Sequence, residues 1–251
     1  MFFRSLFLIT SLIVIIGCGD PELKTEITET WPNGSKKKEI SYYRQITDPR
    51  RVVIYNVKGG IMSDRFMKGG KPDSLQIGYN LDGSKFKEEC YIQKEDGTPM
   101  LHGKASYWYE NGQLKSEAVY DSGAPSGTII AYYDDGNKMS ETSYKNGKKD
   151  GEDIVYFKNG NKKKSTIYLA SRRSGTCQEW FENGKLKEVN EYKDNALHGT
   201  TIVYYSNGKK RREINYQDGQ LHGLKTEWNK RGRKVAQAKY EKGEATYEER
   251  F

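Results

Sequence analysis

The sequence is short of the residues that fill an ordinary aliphatic core. Only 35% of its 251 residues are hydrophobic, 30% are charged, and aliphatic residues are scarce after the first twenty positions. A thick aliphatic core is therefore excluded, and folding has to draw on aromatic side chains, lysine stems and backbone hydrogen bonds. The 19 tyrosines recur at a fixed spacing, which argues against disorder of the main body.

Cysteine and histidine are also scarce, with three of each. Cys90 and Cys177 are several repeats apart, too far for a disulfide when strands stack at about 4.8 Å. His102, His198 and His222 each precede a glycine in the same place of a repeat, which indicates turn residues rather than metal ligands or general bases. No phosphate loop, serine elbow or Cys-His pattern is present. We therefore expect no metal, no cofactor and no enzymatic activity.

The first residues are typical of an export signal. Met1–Arg4 is a basic lead, Ser5–Ile16 is an apolar stretch of twelve residues, and Gly17 precedes Cys18. The stretch is short for a membrane span and reads as a signal peptide over residues 1–17. Its end resembles the bacterial lipobox, which implies a lipid anchor on Cys18 and a short linker over 18–24. The alternative is an uncleaved anchoring helix. Both place the body in the bacterial cell envelope, at the inner or the outer membrane.

The chain is basic, with a formal charge of +8 that falls to about +7 without Arg4. For an exported protein, anionic headgroups, polysaccharide or an acidic protein are better expected partners than nucleic acid. The alternative is that lysine and arginine keep a sheet soluble and its edges unpaired.

A repeat of 24 residues organises most of the chain. It is marked by glycines at Gly103, Gly127, Gly151, Gly175, Gly199 and Gly223. Nine residues after each comes a second glycine, in the pairs Asn111-Gly112, Asp135-Gly136, Asn159-Gly160, Asn183-Gly184, Asn207-Gly208 and Arg231-Gly232. Such pairs favour hairpins, and we expect type I′ turns there, with a looser turn such as 145–151 leading into the next repeat.

Three aromatic columns follow the same period. The first aromatic column comprises Trp108, Tyr132, Tyr156, Trp180, Tyr204 and Trp228. The second aromatic column, one residue later, comprises Tyr109, Tyr133, Phe157, Phe181 and Tyr205, and breaks at Asn229. The tyrosine column, on the second strand of each hairpin, comprises Tyr120, Tyr144, Tyr168, Tyr192, Tyr216 and Tyr240.

Upstream the period continues with drift. Trp31 to Tyr42 fits one repeat, Ile54 to Phe66 a degenerate one, and Tyr79 to Tyr91 a third. The extra residues 95–99 most simply enlarge one edge loop. The predicted organisation is degenerate repeats over 25–102, six regular repeats over 103–246 and a C-terminal tail over 247–251.

Helices are not indicated, since no stretch has apolar residues at spacings of three and four. We predict an all-β fold, an elongated antiparallel meander of about eight tandem β-hairpins in a single twisted open sheet, like a solenoid.

The string His198–Lys209 resembles the MORN repeat variant found in the YwqK family of antitoxins. The resemblance extends over about residues 25–245 and implies the hairpin fold. It also implies protein or membrane scaffolding, or, by the antitoxin name, neutralisation of a toxin.

Function is expected to reside in the aromatic columns. The first aromatic column and the tyrosine column are interpreted as packing within the sheet, because little else is available to bury. The second aromatic column is the candidate binding surface for a protein or glycan. Glu117, Glu141 and Glu213 share a column and are expected to be exposed cross-strand partners of lysine. The leading hypothesis is an envelope-anchored, non-catalytic interaction module. The alternatives are an antitoxin or immunity protein, and a hydrolase of envelope polymer.

Overall fold

The computed structural model describes residues 23–43 and 50–251. The predicted signal peptide and Cys18 lie outside these residues, so cleavage and lipidation stay predictions. The described residues contain no helix long and apolar enough to span a bilayer. They form twenty strands: β1 Leu23–Thr30, β2 Lys36–Tyr43, β3 Arg51–Tyr55, β4 Ile61–Lys68, β5 Lys71–Tyr79, β6 Lys85–Gln93, β7 Pro99–Trp108, β8 Leu114–Asp121, β9 Ala124–Tyr132, β10 Lys138–Lys145, β11 Lys148–Tyr156, β12 Lys162–Leu169, β13 Arg172–Trp180, β14 Leu186–Lys193, β15 Ala196–Leu197, β16 Gly199–Tyr204, β17 Lys210–Gln217, β18 Gln220–Trp228, β19 Lys234–Glu241 and β20 Glu244–Arg250.

The strands belong to two compact units. The N-terminal unit comprises the described residues up to Gln113 together with Tyr120–Gly123, and the C-terminal unit comprises Leu114–Val119 and Ala124–Phe251. In the N-terminal unit each strand from β1 to β7 pairs antiparallel with the next. In the C-terminal unit β9 to β20 do the same, with β15 and β16 sharing β14. The predicted all-β, antiparallel hairpin fold is confirmed.

The turns at the Asn-Gly positions are not the type I′ turns predicted. At Tyr109–Gly112 the N–H of Gly112 donates to the carbonyl of Tyr109 (3.0 Å), and the N–H of Tyr109 donates to Gln113 (2.9 Å). Gly112 has φ +80°, whereas Asn111 has no positive φ and accepts the N–H of Gln113 through its side chain (3.0 Å). This is the pattern of a type I turn followed by a glycine bulge. Nine repeat positions have it in the described residues, against about eight predicted.

The turns between repeats, expected to be looser, are the tight ones. Lys145 pairs directly with Lys148, which leaves Asn146–Gly147 as the two central residues. Their φ values are +50° and +75°, and Ala170–Ser171 has +48° and +67°. Positive φ at both central residues defines the type I′ turn. The two kinds of turn are therefore exchanged relative to the prediction, except at Lys94–Gly97, a turn between repeats that has the same hydrogen bonds as Tyr109–Gly112.

The first glycine of each repeat lies opposite the tyrosine column. Gly175, for example, pairs with Tyr192 and has φ +98°, a conformation that a residue with a Cβ adopts only under strain. Five such pairs are Gly127 with Tyr144, Gly151 with Tyr168, Gly175 with Tyr192, Gly199 with Tyr216 and Gly223 with Tyr240. The tyrosine ring can cover the part of the sheet that the glycine, having no side chain, leaves bare.

The buried residues form a narrow line of small and polar side chains. In the C-terminal unit Cys177 pairs with Asn190 and Thr201 with Ile214, and all four are at most 7% exposed. The hydroxyl of Thr201 donates to the side-chain oxygen of Asn190 at 2.8 Å, so these buried polar groups have partners. No large side chain in the described residues is fully buried, as the shortage of aliphatic residues predicted.

One predicted boundary is met and one differs. The extra residues enlarge the turn between β6 and β7, as expected, because five residues, 94–98, separate the paired Gln93 and Pro99, whereas two separate Lys145 from Lys148. Residues 247–250, assigned to a tail, lie in β20 and pair with β19.

Candidate binding surface

The first aromatic column lies at the end of the first strand of each repeat, and all its members are half-buried. The rings contact the preceding repeat: the ammonium of Lys210 lies 5.9 Å from the ring centre of Trp228, and the hydroxyl of Tyr132 donates to Glu117 at 3.0 Å. A cation over an aromatic ring is attracted by its negative face. These contacts join consecutive repeats along the sheet.

The tyrosine column is half-buried too. Five of these tyrosines lie opposite glycines, and basic side chains lie over the rings of two of them. The guanidinium of Arg173 lies 4.2 Å from the centre of Tyr192, and the ammonium of Lys149 lies 5.2 Å from that of Tyr168. This column has the contacts that a packing role requires.

The second aromatic column occupies the first residue of each Asn-Gly turn. Tyr133 donates its hydroxyl to the carbonyl of Tyr156, and Tyr205 donates to that of Trp228, each at 2.8 Å. Its five members are half-buried, so burial does not distinguish this column from the first. The hydroxyls of Tyr133 and Tyr205 fix these two turns to the next repeat, which sequence reasoning did not foresee.

In the glutamate column, which comprises Glu117, Glu141 and Glu213, two members are paired differently from the prediction. Glu213 accepts from Lys210 at 2.5 Å, and Glu141 from Lys138, so the partner lies three residues earlier on the same strand. The strand pairing has a β-bulge directly after Lys210, and this bulge brings the side chains of Lys210 and Glu213 together. The expected cross-strand pairing of Glu141 and Glu213 is wrong.

The histidines lie beside the type I′ turns. Nδ1 of His198 is 3.2 Å from the carboxylate of Asp218, and Nδ1 of His102 is 3.5 Å from that of Asp121. Both histidines are exposed at the side chain (40% and 47%). In the described residues no group of three histidine, cysteine or acidic side chains is placed to hold a metal ion.

A shallow depression of about 450 Å³ in the N-terminal unit is lined by Gln76 and Glu89, among others. Glu89 is 7% exposed and accepts the hydroxyl of Tyr107 (2.5 Å) and the ammonium of Lys87 (2.9 Å). Burial raises the pKa of Glu89, but the bonds from Tyr107 and Lys87 outweigh it and hold the pKa below its usual value. Both carboxylate oxygens are thus engaged in structural bonds.

A line of cations along the Asn-Gly turns of the C-terminal unit was missed by sequence reasoning. The segments 181–187, 205–211 and 229–235 contain nine basic residues and one carboxylate. The equally long segments at the opposite ends of the strands, 192–198, 216–222 and 240–246, contain two lysines and four carboxylates. The 24-residue spacing of Lys185, Lys209 and Arg233 was the available signal.

The family described as MORN repeat variant matches residues 101–122, 125–146, 173–194 and 197–218. The repeats that begin at Gly151 and Gly223 lie outside these matches, yet they have the same turn and the same glycine-tyrosine pair. No curated protein matches the chain.

Two solved structures illustrate the structural similarity found. The crystal structure of TcdB2-TccC3-TEV is 10% identical, with a TM-score of 0.24 over 87% of this chain and 12% of that chain. The crystal structure of TcdB2-TccC3-Cdc42 is 13% identical, with a TM-score of 0.18 over 91% of this chain and 16% of that one. This chain thus spans only a small part of those proteins, and at such TM-scores the likeness carries no argument. What the comparisons do show is that the chain contains four copies of the MORN repeat variant.

Proposed function

We propose that the protein is a non-catalytic, repeat-based binding module of the bacterial cell envelope, anchored through a lipid on Cys18. The observation that carries the proposal is the coupling of Asn-Gly turns to the next repeat through their side chains. The hydroxyls of Tyr133 and Tyr205 each bond to the next repeat at 2.8 Å, and the side-chain amide of Asn159 does so at 3.0 Å, so these three turns are fixed to their neighbours. A preformed series of this kind binds an extended partner without a large ordering cost.

A protein or a glycan is the proposed class of partner. The turns present half-buried aromatic rings beside exposed polar and charged groups, a combination that is frequent in recognition surfaces. The shallow depression in the N-terminal unit has its buried carboxylate already engaged by Tyr107 and Lys87, which favours binding over catalysis.

Crosslinking and pull-down from native envelopes tests the proposal, with the full-length protein as bait. The triple variant Tyr109→Ala, Tyr133→Ala and Tyr205→Ala removes the rings, whereas the matched double variant Tyr133→Phe and Tyr205→Phe removes only hydroxyls. We expect the alanine variant to lose one partner, and the phenylalanine variant, which keeps the rings but loses the two bonds between turns, to capture the same partner in a reduced amount. Circular dichroism checks that both variants fold.

Equal capture of only abundant proteins by all three baits would contradict a binding role for this column. Lipidation has its own test, since Cys18→Ser should release the protein from the membrane fraction. An antitoxin or immunity function is the second candidate, motivated by the resemblance to the YwqK family. It requires that the captured partner be a toxin whose activity the purified protein inhibits, and a harmless partner would exclude it.

A further inference from the structure

We infer that the Asn-Gly turn edge of the C-terminal unit binds a linear acidic polysaccharide. This inference rests on the proposed binding function and names its partner. The basic turn edge is defined by Lys163, Lys185, Lys209, Arg211, Lys230, Arg231 and Arg233, which are all exposed.

The cations of this edge are available to a ligand. Lysines elsewhere on the same strands are neutralised, as Lys187 is by Glu179 at 3.2 Å and Lys210 by Glu213 at 2.5 Å. None of the seven residues of the basic turn edge forms an ion pair within the described part of the chain. Like charges left unpaired side by side raise the local positive potential.

The spacing of the cations fits a linear polymer. Lys185, Lys209 and Arg233 occupy the same position in three consecutive repeats. Two strands separate one repeat from the next, so equivalent side chains recur about every 10 Å. This distance is comparable to the length of two linked sugars, so in an extended polymer with a carboxylate on each sugar, the charged group of every second sugar would meet one cation in each repeat.

The edge is held rigid by bonds between consecutive turns. Asn159 and Asn207 donate their side-chain amides to the carbonyls of Glu182 and Lys230, each at 3.0 Å. The ammonium of Lys209 donates to the carbonyl of Arg231 at 2.8 Å, and this side chain continues along the edge to the next turn. The turns that carry the cations therefore keep their spacing before the ligand arrives, which lowers the entropy lost on binding.

Aromatic rings at the same turns favour a glycan over an acidic protein or a membrane. The ammonium of Lys163 lies 5.6 Å from the centre of Phe157, and the guanidinium of Arg211 lies 5.8 Å from that of Tyr205. Each cation lies over its ring, and the ring is partly exposed, so a sugar can pack its apolar side against the exposed part of the ring while its anionic group meets the cation. A bilayer surface extends in two dimensions, whereas these groups form a line.

Binding of the full-length protein in neutral detergent to polygalacturonate, a linear carboxylated polysaccharide, tests the inference. The edge variant carries Lys185→Gln, Lys209→Gln and Arg233→Gln. The control variant carries Lys145→Gln, Lys193→Gln and Lys242→Gln, which removes equal charge at the type I′ turns. We expect the edge variant to bind about tenfold more weakly and the control less than about twofold, with an affinity that falls as salt rises from 50 to 200 mM.

Poly-glutamate and vesicles containing phosphatidylglycerol are measured in parallel. Stronger binding of poly-glutamate than of polygalacturonate would assign the edge to an acidic protein, and stronger binding of vesicles would assign it to a membrane. Either result overturns the glycan inference, as does an equal loss of affinity in both variants. If no polyanion binds while the pull-down still retains a single partner, the inference fails and the proposed binding function stands.

Discussion

Replacing Ala170 by glycine should stabilise the protein, against the usual effect of an alanine-to-glycine change. Ala170 is the first central residue of a type I′ turn, with φ +48°. A residue with a Cβ in the left-handed region is destabilised by about 1–2 kcal/mol, and glycine is not. Glycine also gives the unfolded chain more freedom, which offsets about 0.4–1 kcal/mol of the gain. The net expectation is a stabilisation of about 1 kcal/mol.

The contacts around this turn should survive the substitution. The backbone N–H of residue 170 donates to the carboxylate of Asp150 at 3.1 Å, and glycine has this N–H as alanine does. The alanine side chain is exposed. Ala196→Gly is the matched control, because Ala196 lies in β15 without a positive φ and should lose about 0.5–1 kcal/mol. Urea unfolding followed by tryptophan fluorescence compares the two with the parent. The reasoning is refuted if both glycines destabilise the protein alike.

Three further predictions concern single contacts. The pKa of Glu89 is depressed in the folded state, so the stability that its carboxylate contributes is present above pH 4.5 and is lost as pH falls through the lower folded pKa. Glu89→Gln should therefore flatten the acid part of a curve of unfolding free energy against pH. An unchanged curve would show that another group dominates. Tyr205→Phe removes the hydrogen bond to Trp228 and should destabilise by about 1 kcal/mol in urea unfolding, whereas no change would mean that water replaces it. Cys177, 3% exposed, should react with a thiol reagent much more slowly than the half-buried Cys90, and equal rates in the native protein would contradict its burial.

The repeat could be read from the sequence because turn chemistry and strand alternation are local. A glycine every 24 residues and an Asn-Gly or Asp-Gly pair nine residues later locate the hairpins, and the structure places strands on both sides of each pair. The turn types could not be read in the same way. Both kinds of turn favour glycine after asparagine, and the number of unpaired residues, which decides the type, depends on the register of the strands.

The candidate surface was predicted in part. The three aromatic columns are where the period puts them, but all three lie half-buried, and the hydroxyls of Tyr133 and Tyr205 are bonded to the next repeat. The glutamate column shows the same limit. Its lysine partners lie on the same strand, because a bulge that the sequence does not announce changes which side chains meet.

By itself the sequence determined the all-β fold and the period and excluded a thick aliphatic core, since a chain with 35% hydrophobic residues and regular glycines has few other ways to fold. Only the tertiary structure decided which turn is type I′, which cations stay unpaired and how the turns are joined. Those properties depend on which residues the strand register brings together, as in the bond from Asn207 to Lys230, 23 positions apart in the chain. The sequence pattern gives the positions of these residues along the chain, and the strand register decides which of them become neighbours.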